Sequence, residues 1–418
     1  MTSTELEDVW RRESPHVLGA LLRRHGDYAD CEDAAQEALA DAAEQWPTEG
    51  TPDNPRGWLV RVASRRLVDR VRSDRARSVR EETVGTARAA DAFVAPPADE
   101  DTEPGDDTLL LLLLCCHPTL SRPSQVALTL RAVSGLTTAA IATAFLVPEA
   151  TMAQRLSRAR TTLRVNGARF EAPTGEELPT RVAAVLDVLY LVFNEGYARS
   201  SGDTLVETSL AEEAIHLTRR LHAYLPGHDE VAGALALMLL TDARRAARID
   251  PRGDLVPLAE QDRTRWDPRL IDEGVAILEQ VLPRGPVGAY QLQAAISAVH
   301  AEAPRAEDTD WAQIAVLYAM LDDVAPSPAV TLNRAVAIGM STGPGAGLEA
   351  LRPLLDDPAM DRYHRLHAVR AHLLELSGDV RAAEAAYARA AELTRSTPEQ
   401  RYLTRRLARL RNEGATRA

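Results

Sequence analysis

Apolar residues spaced three and four positions apart predict helices over most of this chain. Residues 6–80 read as helices with two breaks, around 25–30 and 47–55. The second break holds Pro47, Gly50, Pro52 and Pro55, so no helix is expected to continue through it. Periodicity fades over 81–107, where Pro96-Pro97 and Pro104-Gly105 sit among Asp99, Glu100, Asp101, Glu103, Asp106 and Asp107. The helical pattern resumes at Leu109 and runs to about Val165, and a short Pro/Gly break at 173–179 opens a long helical remainder. Within that remainder Ala371, Leu374, Gly378, Ala383, Tyr387 and Ala390 have the spacing of a tetratricopeptide repeat. A fainter copy earlier in the chain uses Ala335, Ile338 and Leu351. Such pairs stack into a solenoid; an irregular helical bundle is the alternative.

Composition narrows the class. Ala and Leu are frequent, aromatics make up 4%, and 418 residues suffice for several cores, so an all-α protein of several domains is expected. The expected division is a domain at 1–80, an acidic linker at 81–108, a domain at 109–166, a short linker at 167–178 and a helical domain at 179–418. Net charge is −13, although all 48 basic residues are arginine. Because phosphate neutralisation supplies much of the affinity of a DNA-binding protein, any DNA contact must rest on local basic patches or on a partner that brings DNA near. Three cysteines, two of them adjacent (Cys115, Cys116), make no disulfide framework and suggest a reducing compartment. The acidic start at Glu5, Glu7 and Asp8 is unlike a signal peptide. The apolar runs at 109–116 and 231–240 are too short to span a bilayer, so a soluble, cytoplasmic protein without a membrane partner is expected.

Three stretches carry candidate chemistry. In the first, Ala35, Leu39, Ala42 and Trp46 form a buried stripe, and Asp33, Glu37, Asp41 and Glu44 fall on another face beside Gln36. Such a face suits docking on a basic partner helix, with Asp33, Gln36, Glu37 and Asp41 as the candidate contacts; it also suits plain solvation. In the second, Asn54-Pro-Arg-Gly-Trp58 leads into an arginine-rich helix whose stripe is Leu59, Val62, Ala63, Leu67 and Val71. Arg61, Arg65, Arg72 and Arg75 can reach phosphates or base edges, and Asp69 is expected to pair with a nearby arginine. Trp58 is placed either to stack on an unpaired base or to anchor the core. In the third, a short helix from Leu136, a turn at Leu146-Val147 and a second helix starting at Pro148 make a helix-turn-helix pattern. Met152, Leu156, Ala159 and Leu163 point inward there, and Thr151, Gln154, Arg155 and Arg158 are offered to a major groove. An ordinary αα-hairpin is the bland alternative.

Taken together, Asp33-x-x-Gln-Glu-x-Leu running on to Trp46, and Asn54-Pro-x-Gly-Trp-Leu followed by Asp69 on an arginine-rich helix, resemble domain two of the extracytoplasmic-function sigma factors. Residues 109–165 look like their domain four. That resemblance implies that Asp33, Gln36 and Glu37 dock on the clamp helices of the largest subunit of core RNA polymerase. The arginine-rich helix and its preceding loop would open the −10 box of promoter DNA, and domain four would read the −35 box and touch the flap of the second-largest subunit. Many members have Arg-Asn where this chain has Ser64-Arg65, so that pair does not carry over. In the family the linker threads the RNA exit channel. The stretch 188–197, Ala243-Arg-Arg-Ala-Ala-Arg248, Gln261-Asp-Arg-Thr-Arg-Trp-Asp267 and Thr309-Asp-Trp311 look like one subgroup with a long C-terminal helical extension ending in tetratricopeptide-like repeats. The extension is thought to control activity there, through a regulatory protein or ligand.

Other constellations point elsewhere. Asn194 to Tyr197 and Arg244, Arg245 and Arg248 with Asp262, Arg263 and Trp266 can line a pocket for an anionic small molecule or an acidic peptide; a helix-ending turn and inter-helix salt bridges are the commoner reading. Cys115-Cys116-His117 lacks zinc-ligand spacing, and His216, His222 and His228 are irregular, so no metal is expected. No phosphate loop, catalytic triad or nucleotide fingerprint appears, and neither catalysis nor a cofactor is expected. The alternative to a sigma factor is a stand-alone helix-turn-helix regulator with a helical-repeat sensor, which needs neither the acidic helix nor the arginine-rich one.

Overall fold

The structure is a computed structural model and describes residues 3–81, 104–173, 175–197 and 208–417. The described residues are mostly helical, and an isolated antiparallel bridge joins Ile249 and Leu255. The chain divides into two units, Met1–Val188 and Leu189–Ala418.

The first unit holds α1 (Ser3–His25), α2 (Tyr28–Glu49), α3 (Pro55–Glu81), α4 (Pro104–Cys115), α5 (Arg122–Ala132), α6 (Thr138–Ala144), α7 (Glu149–Val165) and the start of α8 (Leu178–Tyr197). Gly26, with φ of +78°, makes the turn after α1, and the Asp27 carboxylate then caps α2 by accepting from the Asp30 N–H at 3.0 Å. α2 runs through Pro47 to Glu49, three residues into the expected break, and is capped by Gly50. A proline in the last turn removes one hydrogen bond, and the Gly50 N–H closes the helix on the Trp46 carbonyl at 3.0 Å. α4 likewise starts at Pro104, earlier than the expected Leu109, while residues 82–103 of the expected acidic linker lie outside the described residues.

Leu18, Leu21 and Leu22 of α1 are buried, with Ala34, Ala38 and Ala42 of α2 and Leu59, Ala63 and Leu67 of α3. The leucine run of α4 is buried from Leu111 through Cys116, because α1 packs on one side of α4 and α5 on another. The two expected small domains therefore share contacts within one unit, and α1 touches both sets of helices. Gly135 sits at φ +65° between α5 and α6, where a Cβ would come within 2.9 Å of the Ser14 hydroxyl on α1.

The second unit comprises α9 (Thr208–Tyr224), α10 (Asp229–Asp242), α11 (Pro268–Val281), α12 (Ala289–Glu302), α13 (Trp311–Val324), α14 (Pro328–Thr342), α15 (Pro344–Ala350), α16 (Arg352–Leu355), α17 (His364–Leu376), α18 (Val380–Leu393) and α19 (Thr397–Arg417). α10 is apolar all round and buried without interruption from Val231 to Leu240, so it is the central helix, with α9, α11 and α12 around it. Single 3-10 turns and the Ile249–Leu255 bridge fill the stretch between α10 and α11. α17 and α18 form a hairpin about Gly378, at φ +82°, and bury Ala371, Ala383, Tyr387 and Ala390, the small and aromatic positions of the repeat pattern. The fainter copy falls on helices of unequal length, α14 with 15 residues and α15 with 7. α19 ties back to the irregular stretch: Arg405 meets Asp254 at 2.7 Å across 151 positions of sequence.

The α10–α12 crossing depends on Gly233, where a Cβ would lie 2.7 Å from the Gln291 amide nitrogen and 2.9 Å from its Cα. Alanine favours a helix over glycine by about 1 kcal/mol, but overpacking against backbone costs about 1–3 kcal/mol. Gly233→Ala should therefore lower the melting temperature of the chain. A rise in thermal unfolding temperature would show that the two helices separate freely.

Candidate functional site

The Asn54-Pro-x-Gly element builds the entry to α3. The Asn54 side-chain oxygen accepts from the Gly57 N–H at 2.8 Å, Pro55 opens the helix, and a Cβ on residue 57 would lie 2.8 Å from the Asn54 amide nitrogen. This cap sets Trp58 edge-on against buried Trp46, with ring centroids 5.3 Å apart and planes at 67°. Trp58 is thus half-buried on the core while keeping part of its ring open. Arg61 and Arg65 are exposed along α3; the side chains of Arg72 and Arg75 lie outside the described residues.

α2 and α3 are joined by charge. Arg66 reaches both oxygens of Asp41 at 2.8 Å, and Arg70 pairs with Glu37 at 2.5 Å and Asp33 at 3.5 Å. These pairs are solvent-exposed to a large degree, so each contributes at most about 1 kcal/mol and can be exchanged cheaply. Among the described side chains Asp69, expected to pair with an arginine, has no ion pair, though its charge acts on Arg66; Arg66 and Arg70 take their ion-pair partners from α2. Gln36 is half-buried beside them. The four-residue spacing of Arg66 and Arg70 opposite Asp33, Glu37 and Asp41 was the available signal.

The helix-turn-helix forms as expected. The Thr137 hydroxyl caps α6 through the Ala140 N–H at 3.1 Å, and Leu146 turns the chain with φ of +51°, an uncommon value for a branched side chain. Met152, Leu156, Ala159 and Leu163 are buried, while Thr151, Gln154 and Arg158 are exposed and Arg155 half-exposed.

A third face of α7, made by Arg160 and Arg164, turns to α2. Arg160 pairs with Glu32 at 2.9 Å and Asp33 at 3.0 Å; Arg164 donates to Asp27 at 2.7 and 2.9 Å and to Asp30 at 3.1 Å. The Arg164 hydrogen bond, against partial burial, holds the Asp27 carboxyl below its ordinary range. Glu32 is the buried member, 2% exposed, and also accepts from Arg131 of α5 at 3.0 Å. At the opposite end Arg23 of α1 makes a two-pronged pair with buried Asp107 of α4, one bond measuring 2.9 Å. The sequence singled out Asp33 and Asp107 but carried no sign of these pairings, because the partners are 84 to 137 positions apart.

Family models match in the order of the three stretches: Sigma-70 region 2 over residues 9–77 and Sigma-70, region 4 over residues 110–163. A family of unknown function (DUF6596) matches residues 181–282. The chain belongs to the extracytoplasmic-function sigma factors. Among relatives, an uncharacterized protein of Rhizobium meliloti (R00370) is 39% identical over 411 residues, covering 96% of this chain and 95% of its own. A probable extracytoplasmic-function RNA polymerase sigma factor, SigI of Mycobacterium tuberculosis, is 28% identical over 53% of this chain and 73% of its own. SigK of a Mycobacterium species is 31% identical over 31% of this chain and 65% of its own. No solved structure matches. The sigma factor directs promoter-specific transcription initiation and carries a long helical extension after region 4. No described helix is long and apolar enough to cross a membrane.

Glu32 offers a direct test of the α2–α7 junction in the sigma factor. Removing one member of a buried ion pair costs about 3 kcal/mol. Glu32→Gln should make the amides of α2 and α7 open more readily by that amount in hydrogen exchange; unchanged protection would show that Arg131 and Arg160 are satisfied by water.

Proposed function

We propose that Asp33, Gln36, Glu37 and Asp41 dock the sigma factor on the clamp helices of the largest subunit of core RNA polymerase. Trp58, Arg61 and Arg65, with Arg72 and Arg75, engage the −10 element of promoter DNA. Thr151, Gln154, Arg155 and Arg158 read the −35 element, and the same domain meets the flap of the second-largest subunit. The sigma factor works in the cytoplasm and has no catalysis of its own. Its extension, tetratricopeptide-like towards its end, controls its activity through a regulatory protein or ligand.

The observation that carries this reading is the division of α7 into three faces. One is buried, one is tied to α2, and the third presents Thr151, Gln154 and Arg158 to solvent. Arginine and glutamine at such positions match guanine and adenine edges in a major groove. The acids on α2 are already held by arginines of α3 and α7, which supports their fitness for a basic partner surface. Docking by this route exchanges Arg160 and Arg70 for polymerase cations, so polymerase binding and release of α7 from α2 go together.

Two variants of the full chain test the assignment. Asp33→Asn with Glu37→Gln should weaken binding to core polymerase at least tenfold in a co-elution or titration assay, with circular dichroism unchanged. Equal binding would remove this helix from the docking surface. Arg155→Ala with Arg158→Ala should lose selection among promoters in transcription with purified polymerase, at about 1–3 kcal/mol per lost base contact, and should leave polymerase binding intact. Loss of polymerase binding in this second variant would put α7 on the enzyme rather than on DNA.

A further inference from the structure

The turn that follows α10 carries three arginines with different fates. Arg245 is neutralised by Glu212 at 2.8 Å and by Asp242 at 2.5 Å. It lines a cavity of about 840 Å³ in which Arg219 too has a carboxylate partner, Glu273. Arg248 lies 4.0 Å from the centroid of the Tyr197 ring and donates to the Tyr197 carbonyl oxygen at 2.9 Å, which satisfies the end of α8. Arg263, from the 3-10 turn before α11, donates to the carbonyl oxygens of His300 and, at 2.6 Å, Ala303, and so closes α12.

Arg244 has no such partner. Its guanidinium stands 5.9 Å from the centroid of Trp266, which Arg263 also approaches at 4.7 Å. The Arg244 Nε is buried and unpartnered, and so are the Trp266 indole nitrogen and the His300 Nδ1. Among the described residues no carboxylate forms an ion pair with Arg244, Arg248 or Arg263.

The electrostatics follow from this packing. Burial, joined by the like charge of Arg244, holds both Arg248 and Arg263 below the ordinary guanidinium range. The same burial, with the charges of Arg244 and Arg263, lowers His300 to about 4, so that ring is neutral. Burial pushes Tyr318, which also feels Arg244, up to about 12, so its hydroxyl stays protonated. Glu399 acts on Arg248, and Asp308 and Glu307 on Arg263, from beyond ion-pair distance; at Arg244 itself the groups at hand are cationic or neutral. A guanidinium remains charged at any working pH, and a sheltered charge without a counter-ion is costly. Its planar fork fits the two oxygens of a carboxylate or phosphate.

We propose that the Arg244 turn is a binding site for a small organic anion. Its carboxylate or phosphate is gripped by Arg244, Arg248 and Arg263 supply the attracting field, and the Trp266 side of the site packs against its body. The site lies within the stretch matching the family of unknown function and is independent of the promoter-binding surfaces.

The test uses the full chain with inorganic phosphate, phenyl phosphate and benzoate, each against sodium chloride at equal ionic strength. At least one of the three should raise the unfolding temperature by several degrees and saturate in the millimolar range. The phosphates against benzoate tell which oxyanion is held, and phenyl phosphate against inorganic phosphate tells whether the ring contributes. Arg244→Met should abolish that shift, and should unfold no earlier than the parent without anion, because it removes an uncompensated charge. Should Arg244→Met fail to fold, Arg244→Lys keeps the charge without the fork and should weaken calorimetric binding at least tenfold. The proposal is overturned if no probe acts beyond chloride, if Arg244→Met keeps the shift, or if Arg244→Lys binds as the parent does.

Discussion

One buried carboxylate holds the first unit in its arrangement. Glu32 faces the interior of α2, receives Arg131 from α5 and Arg160 from α7, and leaves almost no surface to water. A charge so placed is costly without its partners, so separating the three helices carries a penalty of about 3 kcal/mol. Region 2 and region 4 are separate matches along the sequence, yet Glu32 ties the one to the other in the free chain. The Arg23–Asp107 pair and the turn at Gly135 against α1 work in the same direction.

That constraint also explains how an acidic protein manages DNA binding. Net charge is −13, but the arginines are sorted by face. Arg66, Arg70, Arg160 and Arg164 answer acids of α2, whereas Arg61, Arg65 and Arg158 stay open to solvent. Internal pairing of the first group keeps the acidic helix compatible with a folded domain, and most of its pairs are exposed enough to be traded for those of a partner. The second group supplies local positive surface, which is what phosphate contact requires.

The extension follows another logic. Its centre is α10, an uninterrupted apolar helix, and its charged residues gather where α10 ends and the irregular stretch begins. Several of those charges are matched by acids, as Arg245 with Asp242 and Arg405 with Asp254 are. Arg248 and Arg263 are held by carbonyl oxygens instead, and Arg244 stands against Trp266 and beside His300 with neither kind of partner among the described residues.

Much of this was legible in sequence. The all-α class, the helix-turn-helix with its buried Met152, Leu156, Ala159 and Leu163, and the hairpin about Gly378 all rest on periodicity, capping and turn chemistry, which act within a few residues. The exposure of Thr151, Gln154, Arg61 and Arg65 followed from the same periodicity. Two boundaries shifted, at Pro47 and Pro104, because helix ends respond to neighbouring closure and packing as well as to proline. The sequence alone could not assign Arg160 and Arg164 to Glu32 and Asp27, separate Arg66 from Arg65, or distinguish unpaired Arg244 from paired Arg245. Adjacent arginines are equivalent in composition and differ only in what stands opposite them, and that is set by how the helices pack, which brings together residues 25 positions apart for Arg66 and Asp41 and 128 for Arg160 and Glu32.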